Sequence, residues 1–306
     1  MDIRIATRKS ELALWQARHV AGLLAALPDV GRVTLVPLTT RGDEALDRSL
    51  QAIGGKGLFI KELEAAMQNS GADIAVHSMK DVPAEIPGGF CIAAVLERAN
   101  PFDALVSGSR RTIEALAPGA VVGSSSLRRQ AQLLALRPDL LVRPLRGNVN
   151  SRLRKLDERR FDALILACAG LQRLGLEDRI SEQLGTDRML PASSQGVIGI
   201  ECLDSESELK VTLAALEHAT TRQTTAAERA VARHLQASCQ SPLASYAFVK
   251  DGELTLEALV ASADGRTILR QRATGSADDA ETLGREVARR LLEQGAAGLL
   301  RDAIST

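Results

Sequence analysis

The chain has 306 residues, 45% apolar and 25% charged, with as many acidic as basic side chains. That length suits two or three globular domains, and the neutral charge does not favour a nucleic-acid binder, which relies on a basic surface. No stretch reaches the length of a membrane span, and Met1-Asp2-Ile3-Arg4-Ile5 lacks the apolar run of a signal peptide, so the expectation is a cytoplasmic enzyme or binding protein.

The first two-thirds alternates strand and helix. "IRIAT" reads as a strand, Ser10 caps a helix running to about Leu27, and "RVTLVPLTT" is a second strand. "GLFIKELEAAMQNS" is an amphipathic helix, and "ADIAVHS" and "FCIAAVL" are further strands. Residues 97–103 form a polar, proline-containing connection. The alternation then restarts with strand "AVVGSSS", helix "SLRRQAQLLALR", strand "LLVRPLR", a helix capped by Asn148 and strand "FDALILACAG". This βαβ order predicts largely parallel sheets. A second connection, "PASSQG" at 191–196, precedes the strand "VIGIECL", which a returning chain would add to the first lobe.

The expected fold is therefore α/β: two βα lobes with a cleft between them, and a small C-terminal α+β domain. The first lobe spans 1–96 and 197–216, the second 102–191, and the C-terminal domain 219–306. The last contains a helix from about Thr221 to Leu235, three strands joined at Asp251-Gly252 and Asp264-Gly265, and a helix near 278–293.

Positive charge is unevenly made and unevenly placed. Of 38 basic residues only seven are Lys. From Arg128 to Arg160 there are nine Arg and one Lys against Asp139, Asp157 and Glu158. Guanidinium groups clamp carboxylates and phosphates bidentately, so the cluster points to a multiply anionic ligand. Arg154, Arg159 and Arg160 fit a solvated helix face equally well. Seven aromatic residues in the whole chain leave little to stack on nucleic-acid bases.

The four cysteines are far apart and spell no zinc or redox pair. Cys91, Cys168 and Cys202 sit in apolar runs and read as small buried hydrophobes. Cys239, in the polar "QASCQSP" before Pro242, reads as a loop thiol that cationic neighbours could activate.

Anions are favoured at strand C-terminal ends and helix N-termini. There the chain carries "ATRKS", "TTRGD", "GGKG", "HSMKD", "GSSSLRR" and "LRGN". "GGKG" lacks the spacing of a phosphate loop and reads as a lid or a glycine-permitted turn. His77 reads as a satisfied structural histidine. Asp81 either braces the turn before Pro83 or serves as a lone carboxylate among cations. Lys80 and Asp81, as neighbours at a strand end, are expected to point to different sides.

"ATRKSELALWQ", "TTRGD", "GGKGLFIKELE", "ADIAVHSMKDVP", "GSSSLRRQAQL", "LRGNVNSRLRKLD", "AGLQRLGL" and "SQGVIGIE", in this order, closely resemble the porphobilinogen deaminase family. The resemblance is strong over the first two-thirds and weaker in the tail. It implies a cytoplasmic, monomeric transferase of haem biosynthesis that joins four porphobilinogen molecules into 1-hydroxymethylbilane and releases ammonia. It implies a dipyrromethane cofactor thioether-linked to Cys239, with no metal, nucleic acid or membrane partner.

By the same resemblance Asp81 is the catalytic carboxylate, stabilising a cationic azafulvenium and moving protons. Ser78, Lys80, Ser124, Ser125, Ser126, Arg128, Arg129, Arg146 and Asp43 would hold the cofactor. Arg8, Arg152, Arg173, Gln195 and Lys56 would meet the substrate, Lys56 from a mobile flap. Each pyrrole carries an acetate and a propionate, which explains the arginines.

Ala237 and Ser238 stand where the family commonly has glycines, and a turn needing positive φ would strain them. Ser193 and Ser194 would likewise stiffen the connection before Gln195. The alternative is a two-lobed anion-binding protein without catalysis, which has no need of a reactive thiol.

Overall fold

The computed structural model describes residues 1–40, 60–109, 111–238 and 240–305. The chain forms two compact units, Met1–Arg98 with Val197–Arg222, and Ala99–Gly196 with Gln223–Thr306. Among the described residues the first unit opens with β1 (Ile3–Arg8), α1 (Glu11–Ala25), β2 (Val33–Leu38), α2 (Lys61–Gln68), β3 (Ile74–Ser78) and β4 (Phe90–Val95). The second carries β5 (Asp103–Ser107), β6 (Val121–Gly123), α3 (Leu127–Leu136), β7 (Leu141–Arg143), α4 (Val149–Asp157), β8 (Ala163–Ala167), α5 (Cys168–Arg173) and β9 (Glu182–Leu184). The chain returns for β10 (Ile198–Leu203) and α6 (Ser207–Ala214), and α7 (Ala219–His234) leads into the C-terminal part. That part holds β11 (Leu243–Lys250), β12 (Glu253–Ala261), β13 (Ile268–Ser276), α8 (Ala280–Glu293) and α9 (Ala296–Ser305).

The first sheet has the order β2-β1-β3-β10-β4 and the second β7-β6-β8-β5-β9. In each, the first three strands pair in parallel and the fourth runs antiparallel to both neighbours. That fourth strand, β10 or β5, is the first one laid down after the chain crosses between units. The sheets are thus mixed rather than largely parallel. The late strand does complete the first sheet, as expected. Strand β5 begins inside the stretch read as connection, and β9 went unread, because both lie outside the regular strand–helix alternation.

Burial follows the apolar runs. Ile3, Ile5, Ile74, Val76, Ile200 and Cys202 pack with Ala17, Val20 and Leu24 of α1 in one core. Ser10 caps α1, its hydroxyl accepting from Ala13 N at 3.4 Å, and Asn148 caps α4 by accepting from Ser151 N at 2.9 Å. The C-terminal part is an antiparallel β11-β12-β13 sheet with α8 packed on β12 and β13. Asp251 and Gly252, at φ 52° and 81°, make its first hairpin turn, the backbone a two-residue loop requires.

Cys91 and Cys202 correct the reading of isolated buried thiols. They are register partners across β4 and β10 with Sγ atoms 3.8 Å apart, and Cys91 is only half-buried.

Candidate active site

In the first unit the carboxyl ends of β1 and β3, adjacent parallel strands, deliver Arg8 and the segment Ser78–Asp81. Ser78 ends β3, and its hydroxyl accepts from Gln16 Nε2 of α1 at 2.8 Å. The chain then makes a single 3₁₀ turn, Met79–Asp81. Met79 is buried, its N–H donates to Val197 O at 3.0 Å, and Val82 N–H closes the turn on Met79 O at 3.2 Å.

Buried Met79 and Val82 stand three residues apart, one 3₁₀ turn, and take the core side. Half-buried Lys80 and exposed Asp81 are left to project. The two sit on a 3₁₀ turn, where successive residues are about 120° apart, and not at alternating strand positions. Asp81 has no ion pair among the described residues. His77 is a partnered buried histidine, its Nε2 2.9 Å from Glu201 Oε2 of β10.

In the second unit the turn after β6 supplies Ser124, Ser125 and Ser126. Ser126 caps α3, its hydroxyl accepting from Arg129 N at 3.4 Å. The Ser124 hydroxyl accepts from Ser126 N at 3.2 Å, and Ser125 exchanges two 2.9 Å hydrogen bonds with the backbone of Leu145. These hydroxyls first order the turn itself.

Arg128 and Arg129, in the first turn of α3, are buried and converge on Asp103, which is fully buried at the start of β5. Arg128 donates from Nη1 to Asp103 Oδ2 at 2.7 Å and to the Leu190 carbonyl at 2.8 Å. Arg129 donates from Nε and Nη2 to Asp103 Oδ1 at 3.0 and 2.7 Å. Burial pulls the Arg128 pKa below its usual range, with Asp103 opposing the shift. Gln195 joins the cluster, donating to Pro101 O at 2.7 Å and Asp103 Oδ1 at 3.1 Å. Expected at the substrate, Gln195 is 1% exposed, its side chain held by these buried partners.

Arg146, Arg152 and Arg173 are half-buried. Arg146 has no carboxylate partner among the described residues, and burial lowers its pKa. Arg152 donates from Nε to Gly147 O at 2.7 Å, where Gly147 sits at φ 109° and a Cβ would collide with Ser151 Oγ. Arg173 donates to Gly196 O at 2.7 Å, and burial pushes it down to about 10. Arg154, Arg159 and Arg160 are exposed, the solvated face.

Asp43, Lys56 and Cys239 lie outside the described residues. Beside Cys239, the left-handed residue is Gln236 at φ 51°, and neither Ala237 nor Ser238 has positive φ. The strain expected of that pair is absent, because the turn takes its left-handed step one residue earlier. Ser194, by contrast, does sit at φ 60°, its N–H held by Glu228 Oε2 at 2.5 Å. Asp103 escaped the sequence reading; its only signal was an acidic residue opening an apolar run, "FDALVS".

Residues 3–211 match the family model "Porphobilinogen deaminase, dipyromethane cofactor binding domain", and residues 222–293 match "Porphobilinogen deaminase, C-terminal domain". A porphobilinogen deaminase of Chromobacterium violaceum is 52% identical over 303 residues, covering 99% of this chain and 98% of that protein. One of Xanthomonas axonopodis pv. citri is 54% identical over 300 residues, covering 98% and 99%. Matches of this extent, over both the cation-bearing sheets and the C-terminal part, leave one conclusion: the chain belongs to the porphobilinogen deaminase family.

Proposed function

We infer that this chain joins four porphobilinogen molecules head to tail into 1-hydroxymethylbilane, releasing ammonia at each coupling, in tetrapyrrole synthesis. The observation that carries the reading is the match to the cofactor-binding domain over residues 3–211. It does not favour an anion-binding protein without catalysis. The enzyme would act as a cytoplasmic monomer on a small molecule.

The side chains fit a dipyrromethane, which carries four carboxylates. Arg146 is a cation weakened by burial, and a cofactor carboxylate would offset that cost; Arg173, lowered likewise, would gain the same from a substrate carboxylate. Arg128 and Arg129 already hold Asp103, so a ligand carboxylate would be their second anionic partner, with the guanidinium groups fixed in place by the first. Ser78, Lys80, Asp43 and the ordered turn Ser124–Ser126 complete the proposed cofactor set, with Cys239 as the attachment point. Arg8, Arg152, Arg173 and Lys56 are proposed for the incoming substrate. Gln195 is proposed with them, its amide also orienting Asp103.

When bound, the dipyrromethane supplies the free pyrrole α-carbon that attacks the activated monomer. Asp81 is the residue that faces the chemistry. Its carboxylate accepts pyrrole N–H groups, opposes the positive charge that develops on the substrate as ammonia leaves, and accepts the proton released from the coupled carbon. Lys80 beside it holds a carboxylate of the same ligand.

Intact mass of the purified protein tests the reading. The mass should exceed that of the sequence by two linked pyrrole units, and Cys239→Ala should lack the increment and the activity. An unmodified protein with full activity would overturn it.

A further inference from the structure

Cys91 and Cys202 have no part in the proposed reaction, yet they face each other within one sheet. They are register partners of the antiparallel β4–β10 ladder, with Sγ atoms 3.8 Å apart. Such partners stand about 4.5–5.5 Å apart at Cα, inside the roughly 4.4–6.8 Å span of disulfides. Only a small rotation of the side chains separates contact from a bond.

Cys202 is fully buried and Cys91 is half-buried, so one thiol can be reached from solvent while the other waits behind it. That is the arrangement of an attacking and a resolving thiol. We propose that Cys91 and Cys202 form a reversible cross-strand disulfide, a modification site that locks β4 to β10.

The oxidant is a small disulfide of the glutathione class. The Cys91 thiolate attacks one sulfur of that disulfide, its S–S bond breaks, and one glutathione leaves, taking up the proton that Cys91 lost. Cys202, deprotonated in turn, attacks the Cys91 sulfur, and the second glutathione departs with that proton. Two protein thiols are oxidised and one small disulfide is reduced to two thiols. Burial raises both thiol pKa values, that of Cys202 to about 12, so closure is slow at neutral pH and faster in mild alkali.

The position of the bond gives it consequence. Strand β4 is the last before the chain leaves the first unit at Arg98, and β10 is the first after it returns at Val197. The disulfide would close a loop on the order of 100 residues that contains all of 99–196, and closing so long a loop restricts the unfolded chain strongly. The oxidised protein should therefore unfold at higher temperature.

The test uses the holoenzyme, in which Cys239 is occupied by its thioether on the reading above. Wild type, Cys91→Ser and Cys202→Ser are incubated with oxidised glutathione at mildly alkaline pH, then followed by intact mass, non-reducing peptide mapping and thermal melting. Wild type should lose two hydrogens, yield a Cys91–Cys202 peptide, melt several degrees higher and revert with dithiothreitol. Cys202→Ser should stop with one glutathione on Cys91, and Cys91→Ser should take none at Cys202. Wild type that stays reduced, or that keeps glutathione on Cys91 without closing, would overturn the proposal. Glutathione on the Cys239 peptide would instead count against thioether attachment, and the map separates the two failures.

Discussion

Arg129 grips Asp103 with two nitrogens, Nε at 3.0 Å and Nη2 at 2.7 Å, both on Oδ1, in a site where Asp103 is wholly shielded from water. Arg128 takes the other oxygen. One carboxylate thus orients two guanidinium groups of the first helical turn after β6. The ion triad is buried, so breaking it leaves charge without solvent.

Asp103→Asn should accordingly destabilise the fold by about 3–5 kcal/mol, the range for removing one member of a buried ion pair. The check is the urea midpoint of purified protein. A midpoint equal to that of wild type would show that the triad does not carry stability.

The arginines should separate into two classes. Arg146→Lys and Arg152→Lys should melt like wild type but lose about 1.5–3 kcal/mol of ligand binding, since an ammonium cannot make the paired hydrogen bonds of a guanidinium. Such variants should fail to acquire cofactor or stall with short chains attached, which intact mass reads directly. Arg129→Lys should in addition lower the melting temperature, because it loosens the grip on Asp103.

Asp81 is exposed and has no ion pair among the described residues, so its replacement should leave the melt of cofactor-loaded protein unchanged. Asp81→Asn removes charge and proton acceptance at nearly constant shape, and should lose at least ~10²-fold in turnover. Asp81→Glu should lose less. Single-turnover ammonia release at saturating porphobilinogen decides it: equal rates for wild type and Asp81→Asn would reduce Asp81 to a turn residue.

A pH effect should come from Glu64 on α2. Burial, and after it the charge of Glu201, raises the Glu64 pKa above its ordinary value. A carboxyl raised on folding binds its proton more tightly in the native state, so stability falls as pH rises from the unfolded pKa, about 4.3, to the native one, and stays lower above it. Glu64→Gln should therefore melt higher than wild type at pH 7. The advantage should vanish below about pH 4, where both states hold the proton. An advantage independent of pH would point to packing instead.

Much of the architecture was legible in residues that are neighbours in sequence. Ser10 and Asn148 announce helix starts because a cap bonds a backbone N–H three residues on. Strands β1 and β3 are apolar runs that a buried strand requires, and Asp251-Gly252 is a turn written in two residues. The motifs at the strand ends were equally local, and from them came Lys80, Asp81 and the serine turn.

The tertiary structure alone decided what depends on distant partners. Whether Arg128 and Arg129 meet solvent or a buried acid rests on Asp103, 25 and 26 residues away in sequence. Gln195 is buried because residues near 100 close over it, and Cys91 meets Cys202 because a returning strand inserts beside β4. No periodicity encodes such meetings. They arise when burial of the two sheets selects which strand lies beside which, and that choice is an energy of the whole fold, not of any short window of sequence.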